Sequence, residues 1–303
     1  MAARLLIFFG AIERLPYNNN ERVYGEFMIR DTKKTELRFE TDVFSKGKNP
    51  PKNEDRVGYD ATTIVLSDGA TDKTGIRYEE NKLTGEFKTG GEVVSKLIVD
   101  VVLASERSGQ ELVDELTKAV SSYYEKYNPK AMTDSAFKFA ATMITARIVG
   151  TELVVTQVGD SSFRLNERDA YSNDKVIDAE MAAMRAEYIH RTGDIEGGRA
   201  VIMPYLKEQH RLQNNDQDPQ GYGVINGQAV PSRFVQTFRF PLEDVMTIEL
   251  VSDGYFGVFP SKANIDEYEK LHQHIEEVDP YKIKDYPSTK VSDDRTVLIA
   301  HLR

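Results

Sequence analysis

Residues 137–165 read FKFAATMITARIVGTELVVTQVGDSSFRL, and the fold class turns on how this stretch is parsed. Phe137 to Val149 is rich in apolar and β-branched residues and predicts a long strand. Gly150-Thr151-Glu152 supplies a turn, and Leu153 to Val158 is a second, strongly apolar strand. The pair predicts a β-hairpin, and so an antiparallel sheet. The second strand runs straight into Gly159-Asp160-Ser161-Ser162, after which Phe163-Arg164-Leu165 alternates again.

Upstream, Ala61-Thr62-Thr63-Ile64-Val65-Leu66 reads as a buried strand ending at Ser67-Asp68-Gly69. Two helices follow. Val93, Val94, Leu97, Ile98, Val101 and Val102 recur at helical spacing, as one apolar stripe. The second helix opens on Ser108-Gly109-Gln110-Glu111, a capping-box pattern. It continues with Leu112, Leu116, Ala119, Val120 and Tyr123 on one face and stops at Asn128-Pro129. Downstream, the chain from about Asn166 to Gly221 is polar and partly helical, with a helix over Ala179 to His190. Strands resume at Gly223-Val224-Ile225, Phe234 to Phe240 and Val245 to Val251, the last ending in Ser252-Asp253-Gly254. A helix over Asn264 to Glu277 precedes a closing strand, Thr296 to Ala300. The first fifty residues give no clear pattern. Hairpin strands with consecutive helices between them, and no βαβ alternation, predict an α+β fold of antiparallel sheet with helices packed outside.

Composition narrows the function. The 303 residues contain no Pro-, Ser- or Gly-rich linker and no repeat, and one domain, 1–303, is expected. With 39 basic and 49 acidic residues the formal charge is −10, which argues against nucleic acid or an anionic membrane as partner. The absence of cysteine excludes disulfides, zinc-thiolate sites and cysteine nucleophiles. Leu5 to Phe9 is too short for a signal core or a membrane span, and a cytoplasmic protein is expected. No Gly-x-x-x-x-Gly-Lys-Ser/Thr phosphate loop occurs.

Aspartates mark the strand ends: Asp68, Asp160 and Asp253 follow apolar strands, Asp293-Asp294 precede one, and Asn53-Glu54-Asp55 lie ahead of the Asp60 segment. Hard divalent cations take such oxygen ligands, and strand-end carboxylates far apart in sequence can meet at one sheet edge. An Asp-Gly after a strand is, taken alone, more often a plain turn. On the residues themselves, a carboxylate metal site and a set of turns both stand.

The ordered set Asn-Glu-Asp, Ser-Asp-Gly, Gly-Asp-Ser after a hairpin, a second Ser-Asp-Gly and a final Asp-x-x-Thr-Val resembles the PPM (type 2C) Ser/Thr phosphatases, in the style of their bacterial members. The likeness spans residues 53–301 and rests on order and spacing rather than on one motif. It implies a four-layer α-β-β-α sandwich, with two antiparallel sheets flanked by helices. It implies hydrolysis of phosphoserine and phosphothreonine in proteins, by water activated on two divalent cations, Mn²⁺ or Mg²⁺. Asp55, Asp68, Asp253 and Asp293 match the family's ligands and Gly69 its carbonyl ligand. Asp160, with Asp253, matches a third, weaker metal position. Glu54 would hold metal-bound water, and Asp294 stands where the family often has Asn.

Two departures accompany the likeness. Asp68-Gly69 is followed by Ala70-Thr71-Asp72-Lys73 instead of a glycine-rich run with histidine, and Pro50 stands where the family places its phosphate-binding arginine. Lys52 and Arg56 are the substitute candidates for phosphate. His190, His210, His272, His274 and His301 read as structural. Residues 166–221 fall where the family carries a variable flap, with Arg191-Thr192-Gly193-Asp194 and Gly197-Gly198-Arg199 as its loops. The expected partners are a phosphorylated protein and an opposing Ser/Thr kinase, for a monomeric enzyme. A phosphatase-like binding module and a phosphatase of small phosphorylated metabolites are the alternatives.

Overall fold

Strand β3 (Thr63–Ser67) shows how the layers are built, because its successive side chains leave in opposite directions. Ile64 and Leu66 point into one apolar core, and Val65 into another. The first core lies between two sheets. It joins Ile144, Leu153 and Val155 to Phe163, Leu165, Ile248, Leu250 and Leu298. The second lies under the helices α1 (Gly90–Ala104) and α2 (Gly109–Tyr127) and contains Val94, Ile98, Leu112 and Leu116. On the far side, β10 (Arg295–Leu302) repeats the alternation. Leu298 and Ala300 face the other sheet, whereas Val297 and Ile299 pack with Tyr255 and with Tyr268 of α5 (Ile265–Val278). The result is helix, sheet, sheet, helix: an α+β sandwich of four layers.

The computed structural model describes residues 38–48, 52–70, 75–173 and 175–303. Among these, two five-stranded sheets are formed, and every strand pair in them is antiparallel. One has the order β1-β10-β9-β6-β7, with β1 at Phe39–Lys46, β6 at Ser162–Leu165, β7 at Asp169–Tyr171 and β9 at Thr247–Val251. The other has the order β2-β3-β4-β5-β8, with β2 at Arg56–Tyr59, β4 at Met143–Val149, β5 at Glu152–Val158 and β8 at Gln236–Pro241. Two further helices, α3 (Val176–Thr192) and α4 (Ile195–Glu208), share a small core of Ile177, Met181, Ile202 and Leu206 outside the sandwich. No described helix is long and apolar enough to cross a membrane. Leu5–Phe9, Pro50 and Thr71-Asp72-Lys73 lie outside the described residues.

Several expectations need correction. The first hairpin strand starts at Met143 rather than Phe137. Asp134 caps a short 3₁₀ turn at Ser135–Phe137, and residues 138–142 belong to no strand, with Ala141 forming single bridges to both Gly69 and Ile225. For the same reason Gly223-Val224-Ile225 is no strand, only that single bridge. The capping box is absent at Ser108: Gly109 adopts φ +61° and donates its N–H to Thr156 Oγ1. A capping box does form at Thr89 and Glu92, at the start of α1. Arg164 does not alternate outward. It is buried and held bidentately by buried Glu249, at 2.7 Å on each arm.

Candidate active site

The antiparallel pairing sets the site. With β2 opposed to β3 and β5 two strands on from β3, the N-terminal end of β2 and the C-terminal ends of β3 and β5 share one edge. In the other sheet the end of β9 meets the start of β10. Residues 53–55, 68, 160, 253 and 293–294 all hang from these ends. Asp68, Asp160 and Asp253 line one cavity of about 550 Å³. Asp55 is wholly buried beside them, and Glu54 N–H donates to Asp294 Oδ2 at 2.8 Å, tying the Asn53–Asp55 turn to the start of β10.

The glycines of the Asp-Gly motifs permit this crowding. A Cβ on Gly254 would lie 2.1 Å from the Asp294 carbonyl, and one on Gly69 would lie 2.5 Å from the Gly91 carbonyl. Both contacts are with backbone, which cannot swing aside.

Among the described residues, neither oxygen of the buried Asp55 carboxylate has a well-aligned hydrogen-bond partner, although the Thr296 and Ser252 hydroxyls lie close enough to favour its charge, and Asp253 Oδ1 is likewise unmatched. An ionised carboxylate in such surroundings needs a cation or a proton. Burial, with the charges of Asp294 and Asp253, pushes the Asp55 carboxyl up to about 6. Burial and the Asp253 and Asp55 charges also hold Asp68 well above the ordinary carboxylate range. Asp253 goes the other way. Against the effect of burial, the Lys290 and Lys175 ammoniums hold it below the ordinary range.

Lysines answer part of the negative charge. Lys290 Nζ pairs with Asp293 and lies 4.0 Å from Asp253; Lys48 Nζ lies 3.2 Å from Asp293; Lys175 Nζ lies 2.8 Å from Asp160. Among the described residues, no three Asp, Glu or His side chains are gathered tightly enough to form a ready-made metal cage. The orphaned oxygens of Asp55 and Asp253 and the all-oxygen donor set nevertheless fit a hard divalent cation held with Asp68. Asp293 is the ligand candidate that two lysines already engage.

The remaining sequence candidates divide. Asp294 uses both oxygens structurally, accepting from Lys48 N–H and Glu54 N–H at 2.8 Å each. Glu54 accepts from Thr89 Oγ1 at 2.6 Å, turned toward the N-terminus of α1. Lys52 and Arg56, expected at phosphate, are occupied elsewhere. Lys52 Nζ donates to the Phe87 carbonyl and stacks on that ring. Arg56 caps the carbonyls of Asn53 and Asp55 and lies 3.5 Å from Glu92. Neither lines the cavity.

Sequence reasoning missed Lys290, Lys48 and Lys175, and also the cavity wall formed by Tyr286, Ser288 and Thr289. The only signal for Lys290 was its place three residues before Asp293. His210, read as structural, lies in the cavity wall with Nδ1 bonded to the Lys207 carbonyl. The wall is held from behind. Arg185 of α3, fully buried, donates to the carbonyls of Tyr281, Lys282 and Ser288, and Arg199 of α4 donates to that of Thr289.

No protein-family model and no curated protein matches the chain. Among solved structures it is similar to the serine/threonine phosphatase Stp1 from Staphylococcus aureus, at 19% identity and a TM-score of 0.49, over 93% of this chain and 100% of that one. It is also similar to the Mycobacterium tuberculosis serine/threonine phosphatase PstP/Ppp, at 18% identity and a TM-score of 0.45, over 88% and 98%. The catalytic domain of PstP in complex with two manganese ions is similar at 16% identity and a TM-score of 0.45, over 88% and 99%.

Proposed function

We propose that the chain is a divalent-cation-dependent protein Ser/Thr phosphatase, a bacterial-type PPM member built as one domain. The observation that carries this reading is the buried Asp55 carboxylate, with neither oxygen matched among the described residues, set against Asp68 and Asp253 at a cavity whose lining also includes Lys175 and Lys290. Such a carboxylate, once ionised, is unfavourable unless a cation meets it.

In this reading Asp55, Asp68 and Asp253 hold the two cations, Mn²⁺ or Mg²⁺, with Asp293 and the Gly69 carbonyl, and Asp160 serves a third, weaker position beside Asp253. The cations, when bound, supply Lewis acidity and a more acidic water. Asp294 and the Asn53–Asp55 turn fix the ligand positions. Lys290, rather than Lys52 or Arg56, stands where a phosphoryl oxygen can take its ammonium, releasing Asp293. The chain has no cysteine, and no phospho-enzyme is invoked. The substrate is a phosphoprotein made by a Ser/Thr kinase, the setting the cytoplasm, and the enzyme a monomer.

A second reading has one observation in its favour. Lys290 and Lys48 already neutralise Asp293, as they would in a non-catalytic phosphatase-like module. Phosphate release from phosphoserine and phosphothreonine peptides, set against sugar phosphates and nucleotides, with Mn²⁺ or Mg²⁺ present, separates the cases. Turnover of the peptides above the metabolites supports the phosphoprotein reading. Preference for a metabolite overturns the substrate class, and no turnover of anything by folded protein favours the module.

A further inference from the structure

The acid floor of the cavity is matched by a wall of different character. Lys138, Arg199 and Lys207 line the same cavity, from the segment before β4 and from the α4 side. Among the described residues, none of the three forms an ion pair. Arg199 Nη1 reaches only the Thr289 carbonyl, at 2.6 Å. Asp178, whose charge acts on Arg199, is taken up by Gln209 at 2.9 Å and by Lys175 at 3.9 Å; Asp285 also lines the cavity but pairs with none of them. With 49 carboxylates to 39 basic residues the chain has acid enough to pair them, yet these three cations share one cavity without an ion pair among the described residues. Lys138 and Arg199 are partly buried, and that burial lowers the pKa of each. A cation withdrawn from water with no counter-charge is unfavourable unless an anion arrives with a ligand. The two other cations of the cavity, Lys175 and Lys290, are paired with Asp160 and Asp293, which leaves Lys138, Arg199 and Lys207 as those without an ion pair among the described residues.

We propose that this wall recognises acidic residues flanking the phosphorylated Ser or Thr, so that the preferred substrates are acidic phosphopeptide segments. The proposal rests on the phosphoprotein reading of the site and deepens it. In this proposal Lys138, Arg199 and Lys207 meet the flanking residues while the phosphate faces Asp68 and Asp253, which line the same cavity. Complementary charge of this kind sets partner choice and encounter rate more than intrinsic affinity, and it weakens with salt.

The test uses phosphothreonine peptides identical except for flanking Glu, Ala or Lys. Binding is read by fluorescence anisotropy in EDTA, and kcat/KM with Mn²⁺, for wild type, the double variant Lys138→Ala/Lys207→Ala and the charge reversal Lys207→Glu. Turnover of para-nitrophenyl phosphate, which has no flanks, reports whether each variant keeps its folded site. The expected result is about tenfold tighter binding of the Glu-flanked peptide over the Lys-flanked one, as two or three partly screened ion pairs supply. The double variant should erase that preference and Lys207→Glu should shift it toward Lys flanks, with para-nitrophenyl phosphate turnover unchanged. Equal binding of all three peptides, or the same preference in the double variant, overturns the proposal. A single-stranded oligonucleotide bound as tightly as the Glu-flanked peptide overturns it as well. Failure of the phosphatase reading shows separately, as no phosphate release from any peptide, while the anisotropy still scores the wall.

Discussion

Asp55 concentrates the argument at the scale of one residue. Its carboxyl is raised from 3.8 to about 6, chiefly by burial. A carboxyl raised on folding holds its proton longer in the folded than in the unfolded chain. Metal-free protein therefore loses stability as pH rises from 3.8 through about 6, and the loss is complete above that. A shift of this size corresponds to about 3 kcal/mol. Asp55→Asn should remove this contribution, so that in EDTA the variant gains on wild type at pH 7.5 but not at pH 4, by urea unfolding at the two pH values. Equal differences at both would show that Asp55 does not carry the strain. Gly254→Ala tests the crowding, since its Cβ meets the Asp294 carbonyl. A loss of about 1 to 3 kcal/mol is expected, comparable to overpacking elsewhere. At this scale the carboxylates were readable because each sits at a strand end. The lysines were not, because Lys290 reaches Asp253 only through the path of residues 279–290, which Asp279 organises by accepting N–H groups from Ile283, Lys284 and Tyr286.

At the scale of elements, the helices and sheets are fastened by groups that pattern alone does not reveal. Glu249 on β9 is fully buried and accepts from Arg164 on β6 and from Tyr268 on α5, joining two strands and a helix. Glu249→Leu would leave the buried Arg164 guanidinium with the Pro260 carbonyl and the Phe259 ring but no counter-charge in contact. A cost of about 3 to 5 kcal/mol is expected, measured by chemical denaturation. Removing both charges in Arg164→Met/Glu249→Leu should recover much of it; no recovery would contradict an ion-pair origin. Thr89→Ala should cost about 1 kcal/mol as a lost helix cap, whereas Ser108→Ala should cost almost nothing, since Ser108 makes no side-chain cap. Both segments carry the same Ser/Thr-x-x-Glu pattern. What separates them is the tertiary contact of Gly109 with Thr156, which lies 47 positions away and leaves no local trace. Helices and hairpin strands came through in the sequence because their periodicity is local.

For the whole molecule, the antiparallel α+β class followed from the hairpin and the placing of the helices, while the pairing of β1 with β10 did not. Those strands join opposite ends of the chain, and Phe39–Lys46 carries too few apolar residues in alternation to declare itself. The assembly then brings five strand ends to one edge, which turns separate aspartates into one site. The central claim is that this edge holds divalent cations that the reaction requires. Titration calorimetry with Mn²⁺, read beside para-nitrophenyl phosphate hydrolysis, tests it in wild type and in Asp253→Asn. The account predicts at least two Mn²⁺ bound by wild type, hydrolysis abolished by EDTA and restored by Mn²⁺, and loss of both a bound ion and hydrolysis in the variant. No Mn²⁺ uptake by folded wild-type protein, or hydrolysis that survives EDTA, would contradict it.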